Sequence, residues 1–226
     1  MSITRSAPVS APAAAVEPAH RIRLAIVAAL IAVSAVVQVI GGLLWTVPTG
    51  DWYSYADIAP VRGTFFLDVT LLAATIALAV PLQAVAAMSL VRLRGAVWVT
   101  VGAFLAWIGS ALLAATLGGW AMTYYLATDP GLDRNAATAL LDRFAHDGHL
   151  FAFGEPGSVM VTIGGIVAAV GLIRSRAVPL WIPVVWLVTA AGTFLPSWGP
   201  VSLIAGIPSA IVGIAIGWYA YRRAAS

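Results

Sequence analysis

The chain has 226 residues, 61% of them hydrophobic and 9% charged, with a net charge of +3 at neutral pH. A soluble domain carries about 25% charged residues, so this chain has too little polar surface to stand in water. It contains no cysteine, and all twelve basic residues are arginine. Disulfides, thiol nucleophiles, iron–sulfur clusters and c-type haem attachment are therefore excluded. So is lysine Schiff-base chemistry, and with it a retinal pigment or a pyridoxal enzyme. The arginines come in pairs and form no continuous basic face, so nucleic acid is not expected as a partner.

Residues 1–20, rich in Ala, Pro and Ser, read as a disordered cytoplasmic tail. The first apolar stretch, 24–45, is too long for the apolar region of a signal peptide and lacks a convincing cleavage site, so it reads as a retained helix. At ~1.5 Å per residue, about 20 residues cross ~30 Å of hydrocarbon. On that measure 68–90, 97–120, 158–173, 180–195 and 201–221 are further spans. The fifth carries Pro183 inside and Pro179 and Pro196 at its ends, which membrane helices tolerate when neighbours satisfy the freed carbonyls. Its separation from the sixth rests on Pro196-Ser197-Trp198-Gly199-Pro200. Residues 21–226 thus read as one transmembrane domain.

Charge orients these spans. Arg5, Arg21, Arg23, Arg92, Arg94, Arg174, Arg176, Arg222 and Arg223 fall on one side, and Asp51, Asp57, Asp68, Asp129, Asp133, Asp142, Asp147 and Glu155 on the other, together with Arg62, Arg134 and Arg143. Cytoplasmic connections collect arginine. The expected fold is an all-α integral membrane bundle of six transmembrane helices in the plasma membrane, with both termini cytoplasmic. Trp45, Trp120 and Trp198 then mark the outer interface and Trp98, Trp181 and Trp218 the inner one, while Trp107 and Trp186 lie deeper.

Association in lipid depends on close packing of small residues. The third span repeats Gly102, Ala106, Ser110, Ala114 and Gly118, and the sixth Ala205, Ser209, Gly213 and Gly217. The fourth offers Gly164, Gly165, Ala168 and Ala169. Such stripes serve packing within one bundle or a homo-oligomer. Gln38, Gln83 and the hydroxyls of Ser110, Thr162, Thr189 and Thr193 either bond between helices or line a cavity, in which Gln38, Gln83, Trp107 and Trp186 are candidate ligand-binding residues. No ionisable residue sits near the midplane, which argues against a pump or proton-coupled carrier.

The largest soluble element is the connection from Thr123 to Gly157. It carries a turn at Asp129-Pro130-Gly131 and a short amphipathic outer helix over 136–145, with Leu140, Leu141 and Phe144 on one side. Asp142, His146 and His149 lie near one another and offer a metal-binding alternative, though their spacing matches no zinc signature. Asp68 and Glu155, carboxyls at span ends, suit a general acid, and His146 or His149 a base, in an enzyme acting on a hydrophobic substrate. Their competing role is that of ordinary helix-end carboxylates.

The run Gly171-Leu172-Ile173-Arg174-Ser175-Arg176-Ala177-Val178-Pro179-Leu180-Trp181 resembles a recurrent stretch of uncharacterised actinobacterial multi-pass membrane proteins of about this size. The arginine-only, alanine-rich composition is similar as well. The motif is structural, an inner turn ending in proline and an interfacial ring. The resemblance implies about six helices but transfers no functional residue. Small membrane terpene cyclases are similar in size and in having outer-face acids, an analogy of architecture alone. Three functions follow: a non-catalytic membrane component binding a lipid-like ligand or partner, a membrane enzyme on a terpenoid or lipid substrate, and a small-solute transporter or channel. The partners implied are the lipid bilayer, a hydrophobic small molecule and a second copy, with no cofactor.

Overall fold

The computed structural model describes residues 18–45, 53–146, 152–192 and 203–225, and within them every regular element is helical. In chain order these are α1 (Pro18–Leu44), α2 (Tyr55–Ile58), a 3-10 turn (Ala59–Val61), α3 (Arg62–Leu90) and α4 (Ala96–Ala127). Then come α5 (Arg134–His146), α6 (Gly154–Ser175), α7 (Trp181–Gly192) and α8 (Leu203–Ala225). Four apolar helical runs are long enough to cross a membrane: α1, the run from Tyr55 to Leu90, α4 and α6. α7 is shorter. Several helices outrun the apolar stretches that announce them. α3 begins at Arg62 and α4 reaches Ala127, because polar residues at the end of an apolar run still extend a helix once it is nucleated. The expected breaking segment 196–200 and the tail 1–17 lie outside the described residues.

Five helices close a ring and a sixth docks against two of them. α6 packs on α4, α4 on α3, α3 on α8, α8 on α7 and α7 on α6, while α1 docks against α3 and α8. The α4–α6 seam is the closest. A Cβ added to Gly102 would stand 2.5 Å from the Gly164 carbonyl oxygen, and one on Gly164 would stand 2.6 Å from that of Gly102. Gly109 and Gly157 oppose each other in the same way at 2.6 and 2.9 Å, as do Gly171 and Gly95. Gly95, Gly102 and Gly109 therefore face Gly171, Gly164 and Gly157 in antiparallel register, seven residues apart on both helices. A seven-residue repeat keeps one seam in contact between helices that wrap gently left-handed. The expected four-residue stripe holds only in part: Gly118 of α4 has nothing within 4 Å. On α8, by contrast, Gly213 meets Gln83 and Ile31, and Gly217 meets Ala28 and Ile31.

The two ends of the ring differ in chemistry. One gathers the α3–α4 turn, the α6–α7 turn, the start of α1 and the end of α8. There Arg21 donates to the Tyr221 hydroxyl at 3.5 Å, and Arg223 donates at 2.5 Å to the carbonyl of Leu90, the last residue of α3. A cation at a helix C-terminus is favoured by the dipole. Leu24, Leu90, Val99, Leu172, Ile182 and Ile216 fill the core behind this end. Every acid among the described residues lies toward the opposite end, where Phe65, Val69, Leu117, Trp120, Tyr124 and Phe144 form a second core.

Candidate functional site

The acidic end is closed by packed rings. Tyr53, Phe65, Trp120 and Tyr124 meet at centroid separations of 5.4 to 6.1 Å, most of them edge to face, the arrangement that ring quadrupoles favour. The fully buried Tyr124 donates its hydroxyl proton to the Tyr53 carbonyl at 3.2 Å and accepts the Tyr53 N–H at 3.3 Å. This pins the segment before α2 to α4. α5 forms the roof. Asp133 accepts the Ala136 N–H at 2.9 Å and caps the helix. Ala137, Leu141 and Phe144 face inward, with the Phe144 ring 5.6 Å from that of Tyr124 at 90°. Leu140, expected on that face, is 48% exposed. It sits about 100° round the helix from Leu141, at the edge of the stripe.

Besides Asp133, two further acids here hold structure. Asp57 accepts the N–H and hydroxyl of Ser54 at 2.9 and 2.8 Å. Asp129 accepts the Gly131 N–H at 2.8 Å and pairs with Arg62 at 2.7 Å. The Gly131 N–H first, then the Arg62 charge, hold the Asp129 carboxyl below its ordinary value. Arg62 also donates from Nε to the Tyr125 carbonyl at 2.8 Å, and its guanidinium lies 3.9 Å over the Tyr125 ring. One arginine at the start of α3 thus clamps the end of α4 and the turn leading to α5.

Of the proposed acid–base residues, the side chains of Asp68 and Glu155 are described. Asp68 is half-buried on α3, Glu155 is exposed at the second residue of α6, and α4 packs between those two helices. His146 closes α5, but its side chain and all of His149 lie outside the described residues. No group of three metal-ligating side chains forms among the described residues, and Asp142 is exposed.

The candidate ligand-binding residues do not converge either. Gln38 is exposed on α1, and Gln83 is half-buried with its amide nitrogen against Gly213 of α8. Trp186 packs its indole nitrogen on Gly165 of α6. Trp107 is 45% exposed and stacks on Phe104 at 6.3 Å and 11°.

Several hydroxyls within the helices bond to their own backbone. Thr75 donates to Leu72, Ser110 to Trp107, Thr162 to Ser158 and Thr189 to Trp186, all at 2.7 to 3.0 Å. Such a bond satisfies the hydroxyl proton of Thr75, Ser110 and Thr189 within its own helix.

No family model, curated protein or solved structure matches this chain. Its function therefore rests on the physical features above. The ring-packed roof, the Arg62 clamp and the segregated arginines are the ones with an evident arrangement. Of these, only the last was legible from sequence, since Arg62 and Asp129 are 67 residues apart.

Proposed function

We propose that this protein is a six-span bundle of the plasma membrane with both termini cytoplasmic, acting without catalysis as a component that holds a lipid-like ligand or partner. The observation that carries the reading is the segregation of charge, with paired arginines at one end of the ring and acids at the other. The outward faces add support. Leu30 and Val36 of α1, Phe104 of α4, Ile163 of α6, Val188 of α7 and Ile211 of α8 are all exposed. A soluble monomer rarely shows contiguous apolar area on that scale. The non-catalytic choice follows from the roles of Asp57, Asp129 and Asp133, which cap helices and anchor a clamp, and from the separation of Asp68 and Glu155. The test is a reporter fused to the carboxyl end. Activity on the cytoplasmic side is expected, and activity only on the exterior overturns the orientation. A second test replaces Glu155 by Gln and His149 by Ala, and any loss of a membrane-linked chemical product on doing so overturns the non-catalytic reading.

A further inference from the structure

Arg92 and Arg94 come from the α3–α4 turn, Arg174 and Arg176 from the α6–α7 turn, and one contact unites them. Gly95 adopts φ 82, and a Cβ there would collide with the Gly171 carbonyl and stand 3.3 Å from the Ser175 N–H nitrogen. With no side chain between the turns, four exposed arginines share one patch. Arg174 reaches across to α4, its guanidinium 5.7 Å from the Trp98 ring. The rim is apolar and aromatic: Trp98, Trp181, Leu93 and Leu180 are all exposed.

Arg176 supplies an independent sign. It is the C-cap of α6 and the only non-glycine at positive φ among the described residues, at 52°. Helices place glycine at such a position because a Cβ is strained there. Sidedness alone explains an arginine somewhere in this turn. It does not explain one at the residue where glycine would relieve the backbone, and such an outlier points to use.

We infer that these two turns form a binding site for the phosphate headgroup of an anionic phospholipid, with its acyl chains lying on the outward faces of α4 and α6. Charge complementarity selects the headgroup: four exposed arginines come from two adjoining turns, and every acid among the described residues lies toward the far end of the ring. Guanidinium matches phosphate geometry in a bidentate manner. Basic sites between membrane helices bind such headgroups, and the exposed Val101 and Ile163 continue the surface into the apolar girdle. The inference rests on the membrane-spanning reading given above.

The experiment uses the full chain purified in dodecyl maltoside, offered phosphatidylglycerol or phosphatidylcholine with identical acyl chains and read by native mass spectrometry. Retention of phosphatidylglycerol about ten-fold or more above phosphatidylcholine is expected. Removing two charges by Arg94→Gln with Arg174→Gln should weaken phosphatidylglycerol binding about 25-fold, near five-fold per arginine. Arg134→Gln, at the opposite end, should change nothing. Arg176→Gly guards against misfolding, because it should keep or raise thermal stability while weakening binding about five-fold. Equal retention of the two lipids overturns the site. So does undiminished binding by the Arg176→Gly variant, or an Arg134→Gln loss as large as that of the double variant, which would mean that net charge alone is read. Binding in detergent has no sidedness, so a wrongly placed carboxyl end would overturn the orientation without touching this result.

Discussion

Gly102→Ala adds one carbon where α4 and α6 leave no room for it. That carbon would stand 2.5 Å from the Gly164 carbonyl oxygen and 2.9 Å from Ala168 Cα, both backbone atoms that no rotamer can move. Ordinary carbon contacts lie near 3.5–4.0 Å, so the helices must part by roughly 1 Å at this point. A gap of that size forfeits a quarter to a half of each dispersion contact it opens, and in lipid those contacts are the main force holding two helices together. Overpacking by one carbon costs about 1–3 kcal/mol, and the upper half of that range applies where only backbone can yield. Alanine's better helix propensity returns at most ~1 kcal/mol. The net loss is then about 2 kcal/mol. Gly118→Ala is the matched control, since nothing lies within 4 Å of its Cβ position, and it should be neutral or stabilising by up to ~1 kcal/mol. Unfolding in mixed micelles with increasing dodecyl sulfate, followed by far-ultraviolet circular dichroism, separates the two. If Gly102→Ala costs no more than Gly118→Ala, the seam is not where the structure places it.

Other changes probe the acidic end. Phe144→Ala should destabilise by about 3 kcal/mol and raise hydrogen exchange across α5, because its buried ring fills the roof, whereas Leu140→Ala should cost little. Equal effects would mean that α5 is not seated by this face. The lowered pKa of Asp129 makes its contribution fully present above about pH 3.9 and lost as the pH falls through the lower folded value. Wild-type protein should therefore lose more stability between pH 6 and pH 3 than the Asp129→Asn variant, and parallel curves from thermal melts would refute the clamp. Arg223→Gln removes the charge that caps α3 at Leu90 and should cost about 1 kcal/mol, read in the same melts against Arg222→Gln.

Apolar length was enough to place the long helices on this chain, because it acts on runs of sequence that can be counted. Even the short helix of the outer connection, expected at 136–145, appears as α5 over Arg134–His146. Which residues meet was harder. The small residues of α4 satisfy both a four-residue and a seven-residue spacing, and Gly95, Gly102 and Gly109 gave the signal for the second. Their partners Gly157, Gly164 and Gly171 carry the same interval, so comparing the two helices would have fixed the seam. Arg62, Tyr53 and Tyr124 left no such trace, since their contacts join segments at least 63 residues apart. Hydroxyls such as Ser110 and Thr189 bond locally, because a helix offers each of them its own carbonyl.

The glycine register also bears on descent. A position where a methyl group cannot fit is one that mutation cannot drift through, while the lipid-facing residues around it exchange freely among apolar types. Distant cousins of this chain should keep three glycines at intervals of seven, a variable stretch of near constant length, and three more at the same intervals, long after the rest of their alphabet has diverged.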